Sequence, residues 1–215
     1  VTLTPAFPVG AAYVPGDAVI LRVFEDRYLS MMERVLQGDN TFVSVLISAG
    51  SEVGGHDQRF DTGVLVHVDH VEPAEFGIMV YAHAVQALTV TSWNNDDFYP
   101  RVEFTLHRDE ELPEDEVSAV RALLPNLSSD IDRLFALMDA HNISRPQVPG
   151  GASRLIQGVR DEEIEALLWT LVRLLPSGPL ARYEILSEMS LRQRAVRLLD
   201  EVTHLQEIIT FRFGQ

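Results

Sequence analysis

Up to about residue 107 the apolar positions of this chain alternate or cluster in short β-rich stretches, and from Asp109 onward they recur every three or four residues. The two periods bury different faces, so a chain with one such switch is confined to a sheet-first, helix-second α+β organisation. We divide it into a β-rich lobe over residues 1–112 and a helical lobe over 113–215. In the first lobe Thr41–Ser48 reads as a buried strand, while Asp61–Val71 and Arg101–His107 alternate; Phe76–Tyr81 and Ala84–Thr91 complete the set. Short strands at this spacing, separated by turns, predict an antiparallel sheet curled into a barrel or sandwich. In the second lobe helices are expected near 114–124, 129–141, 161–175, 179–187 and 191–211, with apolar stripes such as Ile164, Leu167, Leu168, Leu171 and Leu175. Asp161 is expected to cap the third of them, and the Pro- and Gly-rich segment 144–160 reads as a structureless loop.

The opening segment Phe7–Met32 makes the same switch on a small scale. Pro8 with Gly10 and Pro15 with Gly16 mark turns, Ala18–Phe24 is a strand, and Tyr28, Met31, Met32, Val35 and Leu36 then line one helix face that stops at Gly38. Arg22, Glu25, Asp26 and Arg27 crowd the strand-to-helix junction and read as a structural brace, in which arginine forks hold carboxylates.

The residue types exclude several chemistries. There is no cysteine among the 215 residues, hence no disulfide, thiolate metal site or cysteine nucleophile. All 17 cationic residues are arginine, so these residues cannot supply a P-loop lysine, a Ser-Lys dyad or a Schiff base. A formal charge of −15 opposes binding to nucleic acid phosphates. No apolar run is long enough to span a bilayer and no leader pattern opens the chain, so a cytoplasmic protein without membrane contact is expected. Serines and histidines occur without a nucleophile elbow, and no catalytic residue is assigned. His56, Asp57, His67, Asp69, His70 and His83 suggest a metal site. With His70 expected to face away from His67 and Asp69, they read instead as exposed strand histidines and a solvated turn, and no metal or cofactor is assigned.

The motifs FPVG, YVPGDAVILRVFEDRYLSMM, VLI before Gly50 and GSEVGG together resemble the opening of the substrate-binding, N-terminal domain of ATP-dependent Lon proteases. The matching positions are Phe7, Pro8, Pro15, Gly16, Leu21, Val23, Phe24, Glu25, Arg27, Tyr28, Gly38, Gly50, Glu52, Val53, Gly54 and Gly63. The stretch from Leu171, LVRLLPSGPLARYEILSEMSLRQRAVRLLDEV, is similar to the helical end of that domain. Ala84–Leu88, the acidic run 109–116 and the loop near Pro149 depart from the family pattern. The resemblance implies a PUA-like β-barrel lobe followed by a helical bundle, without the ATPase and Ser-Lys peptidase modules that follow it in Lon.

With that resemblance, the expected function is non-catalytic recognition of unfolded or extended polypeptide, as an adaptor or a recruiter for a separate protease. The expected contact surface is an aromatic hairpin tip, Trp93, Phe98 and Tyr99, with Arg101 beside it to pair an acidic group. The alternatives are an RNA-binding PUA-like module, disfavoured by the charge, and a small-molecule or hydrolytic protein using a cleft between the lobes.

Overall fold

The computed structural model describes residues 3–50, 58–95, 98–107 and 113–213. The motif residues Glu52, Val53 and Gly54, the His56-Asp57 pair and residues 109–112 of the acidic run lie outside them. The chain forms two compact units, Val1–Arg108 and Asp109–Gln215.

The first unit is built from β1 (Thr4–Val9), β2 (Ala18–Val23), α1 (Asp26–Leu36), β3 (Thr41–Ala49), β4 (Gln58–Pro73), β5 (Ile78–Asn94) and β6 (Arg101–Leu106). The strand order is β2-β5-β4-β3-β1-β6, with β5 also pairing β6. The sheet is mixed rather than antiparallel, because β1 runs parallel to β3. Such a pairing requires a crossover, and the chain supplies it by passing through β2 and α1 between the two strands. The curl returns upon itself through β6, but β1 and β6 share a seam of only two residue pairs, so the barrel is not clearly closed. One 17-residue strand, β5, stands where two were expected. It pairs β2 through residues 78–83 and β6 through residues 88–94, with β4 along its other side. A local pattern cannot show that one strand changes partners midway. Ala6, Val43, Val45, Leu88, Val90 and Val102 form a buried cluster inside the curl. Helix α1 buries Tyr28, Met31, Met32 and Val35, as its spacing predicts, while Leu36, expected on the same face, is exposed at the helix end.

The second unit contains α2 (Glu114–Ala140), α3 (Gly151–Leu155), α4 (Ile164–Leu174), α5 (Pro179–Ser187) and α6 (Leu191–Phe213). Two helices were expected where α2 is continuous through Pro125. A proline inside a helix costs about 3 kcal/mol. Here Val117, Val120, Leu124, Leu127, Ile131, Leu134 and Met138 form one buried stripe across it, and α2 packs along α6. The buried stripe outweighs the missing hydrogen bond. Asp161 does not cap α4: it lies in a 3-10 turn (Asp161–Glu163), bonded to Arg121 of α2, and Glu163 accepts from the Arg160 N–H at 3.0 Å. The Glu116 carboxylate of α2 meets the start of α6 instead, accepting from the Leu191 N–H at 2.8 Å and from the Ser190 hydroxyl at 2.9 Å.

The segment 144–160 is also more ordered than its prolines and glycines suggest. Asp132 accepts hydrogen bonds from Ala152 N (2.6 Å), Ser153 N (3.2 Å) and the Ser153 hydroxyl (2.6 Å), holding α3 against α2. Arg145 forks onto Asp139 with contacts of 2.8 and 2.6 Å. That fork holds the Asp139 carboxyl below the usual carboxylate range. A depressed folded-state value adds stability above the unfolded value, about pH 4, and the gain is lost as pH falls through the depressed one. In an Arg145→Met variant the carboxyl resonance of Asp139, followed by carbon NMR, is expected to titrate at higher pH than in the parent. An unchanged midpoint would show that the fork does not bias this carboxyl in solution.

Candidate functional site

Strand β2 lies at the end of the sheet and, among the described residues, pairs only with β5. Its alternation buries Val19, Leu21 and Val23 and leaves Ala18, Ile20 and Arg22 exposed. Beside it runs an open groove of about 330 Å³, lined by Ile20, Leu21, Arg22, Val23 and Phe24 together with Phe7, Val9, Ala11, Tyr13, Glu25 and Tyr28. Consecutive residues of a strand point to opposite faces, so a groove touching five in a row follows the strand's edge and not one face. Phe7 packs on Tyr28 with ring centroids 4.2 Å apart and on Phe42 at 6.2 Å, which fixes an aromatic wall for the groove. Ile20 is 57% exposed and Phe24, four residues on, is 50% exposed, so the lining offers two large apolar side chains to solvent. Arg22 and Glu25 are the charged groups of the lining.

The expected brace is partly assembled. Arg27 bonds Glu25 at 3.1 Å and stacks over the Tyr28 ring at 4.4 Å. Asp26 is exposed in the first turn of α1, and Arg22 makes no ion pair among the described residues. Arg22 projects from β2 while Arg27 lies in the first turn of the helix.

The aromatic tip is divided between two environments. Trp93 pairs across the β5–β6 ladder with Val102, not with an aromatic residue, and packs against the buried cluster of the curl. Its indole N–H points at Asp61 Oδ1, 3.3 Å away, and Arg59 covers its ring at 4.6 Å. Phe98 is 64% exposed, while Tyr99 and Arg101 are half-buried. Trp93 is thus half-buried against the fold, and Phe98 is the most exposed of the three aromatics. No run of consecutive residues marks the groove, although its members Phe7 and Tyr13 lie beside the Pro-Gly pairs of the opening segment.

The outer face of β4 and β5 holds the described residues able to share a metal ion, His67, Asp69 and His83, none of which lines the groove. His70 does not face away from them as expected. The register shifts between Val68 and His70, so His70 pairs with Tyr81 on the outer face and stacks on its ring at 4.5 Å. The hydrogen bond from His83 holds the Asp69 carboxyl below the usual range, helped by the charges His83 and His67 can carry.

No helix among the described residues is long and apolar enough to cross a membrane. Two solved structures share this fold. The crystal structure of a Lon N-terminal domain protein from Xanthomonas campestris is 20% identical, with a TM-score of 0.60 over 93% of this chain and 98% of its own. The N-terminal domain of the Mycobacterium avium complex Lon protease is 13% identical, with a TM-score of 0.62 over 94% of this chain and 98% of its own. No curated protein matches the sequence. The family model of the ATP-dependent protease La (LON) substrate-binding domain matches residues 4–204. The chain, which carries that match through both of its compact units, belongs to the LON substrate-binding domain family.

Proposed function

We propose that the chain is a non-catalytic polypeptide-recognition module, working in the cytoplasm as an adaptor or recruiter for a separate protease, and that its groove beside β2 is the contact surface. The groove along a strand edge that has no partner among the described residues carries this reading. Free backbone groups on such an edge can pair with any extended peptide, while the flanking apolar wall accepts alternate side chains of the added strand. Recognition of that kind reads extended conformation and apolar content, which are the features an unfolded client offers. Arg22 and Glu25 would select charged neighbours of the apolar segment. The charge of −15 supports a protein partner over RNA.

The test is fluorescence anisotropy of labelled, unfolded casein titrated with the protein. Ile20→Glu and Phe24→Glu are expected to weaken binding by about tenfold or more, which is about 1.4 kcal/mol, because each puts a charge into an apolar contact. Both side chains are half-exposed or more, so the thermal midpoint should change little. If Phe98→Ala abolishes binding while Ile20→Glu does not, the contact belongs to the tip formed by Phe98, Tyr99 and Arg101. If the parent protein does not bind the unfolded chain, the recognition reading fails.

A further inference from the structure

His67 and His83 stand directly opposite each other in the β4–β5 ladder, their ring centroids 5.4 Å apart. Directly opposed residues of an antiparallel pair share one face, so both imidazoles lie on the outer side of the sheet. Asp69 joins them through a break in the ladder. Val68 pairs with Ala82 and His70 with Tyr81, which leaves Asp69 as the extra residue of a β-bulge. Its carboxylate leans onto His83, with Oδ1 and Oδ2 at 2.9 and 3.1 Å from Nδ1. The His67 Nδ1 lies 3.8 Å from the same Oδ1.

We propose that His67, Asp69 and His83 bind a divalent first-row transition-metal ion through two imidazole nitrogens and one carboxylate oxygen. The three donor atoms already lie within 4.8 Å of one another. An ion with bonds of about 2.0–2.1 Å in tetrahedral geometry holds its donors about 3.3 Å apart, between the 2.9 and 3.8 Å separations found here. Small rotations of exposed side chains bring all three to that spacing.

A cluster held by hydrogen bonds alone leaves one feature unaccounted for. The His67 Nδ1 is shielded from solvent yet makes no hydrogen bond, a costly state for a ring nitrogen. Both Asp69 oxygens are turned to His83 instead. A cation among the three groups satisfies the orphaned nitrogen without displacing the carboxylate.

The donor set selects the kind of ion. Two imidazoles and one carboxylate suit Zn²⁺, Ni²⁺ and Cu²⁺, whereas Ca²⁺ and Mg²⁺ require a cage of oxygens. Three protein ligands leave a fourth position open, and because the side chains are roughly half-exposed that position faces water or a donor from another molecule. The site shares no residue with the groove proposed for polypeptide, so either inference can fail without the other.

The test is calorimetric titration of the tag-free full chain with ZnCl₂, paired with Co²⁺ titration read by visible absorption. One saturable equivalent is expected, with the intense d–d bands of a low-coordinate Co²⁺ site. His67→Ala and His83→Ala each remove a ligand and should weaken binding by more than the about 10–100-fold that losing a supporting hydrogen bond costs a metal site. Asp69→Asn keeps the side-chain shape and should weaken binding as well, which guards against misfolding of the alanine variants. His70→Ala, on the same face but outside the cluster, should bind like the parent. Absence of saturable binding, or binding unchanged by His67→Ala and His83→Ala, would overturn the proposal.

Discussion

Gly63→Ala is expected to destabilise the first unit by about 3 kcal/mol, enough to shift its denaturant midpoint well below that of the parent. Gly63 is buried in the middle of β4, paired with Val45 of β3 on one side and Leu88 of β5 on the other. A methyl group there would stand 2.3 Å from the Ser44 carbonyl oxygen and 2.7 Å from Val45 Cγ1. The nearer obstacle is backbone within a ladder, so it cannot swing aside as a side chain could. Either the β3–β4 pairing opens locally or β4 bows away, and both expose apolar surface of the curl. Hydrogen exchange resolved by peptide is the suitable measurement, because it reports the units separately. Protection should fall across β3, β4 and β5 while α2 and α6 keep theirs. Exchange equal to the parent in the sheet would mean that β3 relaxes around the methyl group at little cost. Gly63 also belongs to the pattern shared with the Lon family, and this close approach is a physical reason for a glycine at that position.

The second large effect is expected in the helical unit. Arg194 is 2% exposed, and its guanidinium contacts Glu165 Oε1 at 2.5 Å, the Glu188 carbonyl at 3.0 Å and the Trp169 ring at 4.1 Å. Arg194→Ala removes the cation but leaves Glu165, a carbonyl and a buried indole face arranged around the space. Breaking a buried pair from one side costs about 3–5 kcal/mol, because the remaining charge keeps its desolvation and loses its partner. Arg194→Lys should recover only a fraction, since an ammonium cannot reproduce a planar fork that also stacks on an aromatic ring. Trp169 is itself the reporter: in a Trp93→Phe background its fluorescence follows urea unfolding of this unit. Pairing Arg194→Ala with Glu165→Gln completes a double-mutant cycle. The double variant should be less destabilised than the two single effects added together. Additive losses would show that the pair is not coupled and that the effect of Arg194 lies in packing.

Arg194 also shows where a sequence pattern stops being informative. It falls on the buried stripe of α6, between Leu191 and Leu198, beside Ala195. By residue type it belongs outside, and Glu165 and Trp169, four residues apart on another helix, together with the Glu188 carbonyl, make its burial tolerable. The seven apolar residues of α2 were equally visible in the chain, but Pro125 obscured their continuity. Burial along α6 decided that case, and burial is a sum over partners that a local window does not contain.

The same distinction runs through the candidate sites. The aromatic cluster around Trp93 was conspicuous as a string of residues, yet Trp93 is committed to the fold through Arg59, Asp61 and the buried cluster. The groove is assembled from β1, β2, the start of α1 and the turn after β1, and it depends on β2 having one partner strand. Neither condition leaves a mark on consecutive residues.

Periodicity alone determined that this chain is a sheet followed by helices, which face of α1 and α4 is buried, and, with the motif residues, which family it resembles. Those properties are set by neighbours within a few positions along the chain, where side-chain direction follows directly from backbone geometry. Tertiary structure alone decided the parallel β1–β3 pairing, the exchange of partners along β5, the placing of β2 at the end of the sheet and the bulge that brings Asp69 to His83. Each of these is a choice of partner between distant segments with similar local preferences. Register and strand order are settled by the total apolar area buried and the backbone bonds satisfied across the whole sheet, quantities that exist only once the chain has closed on itself.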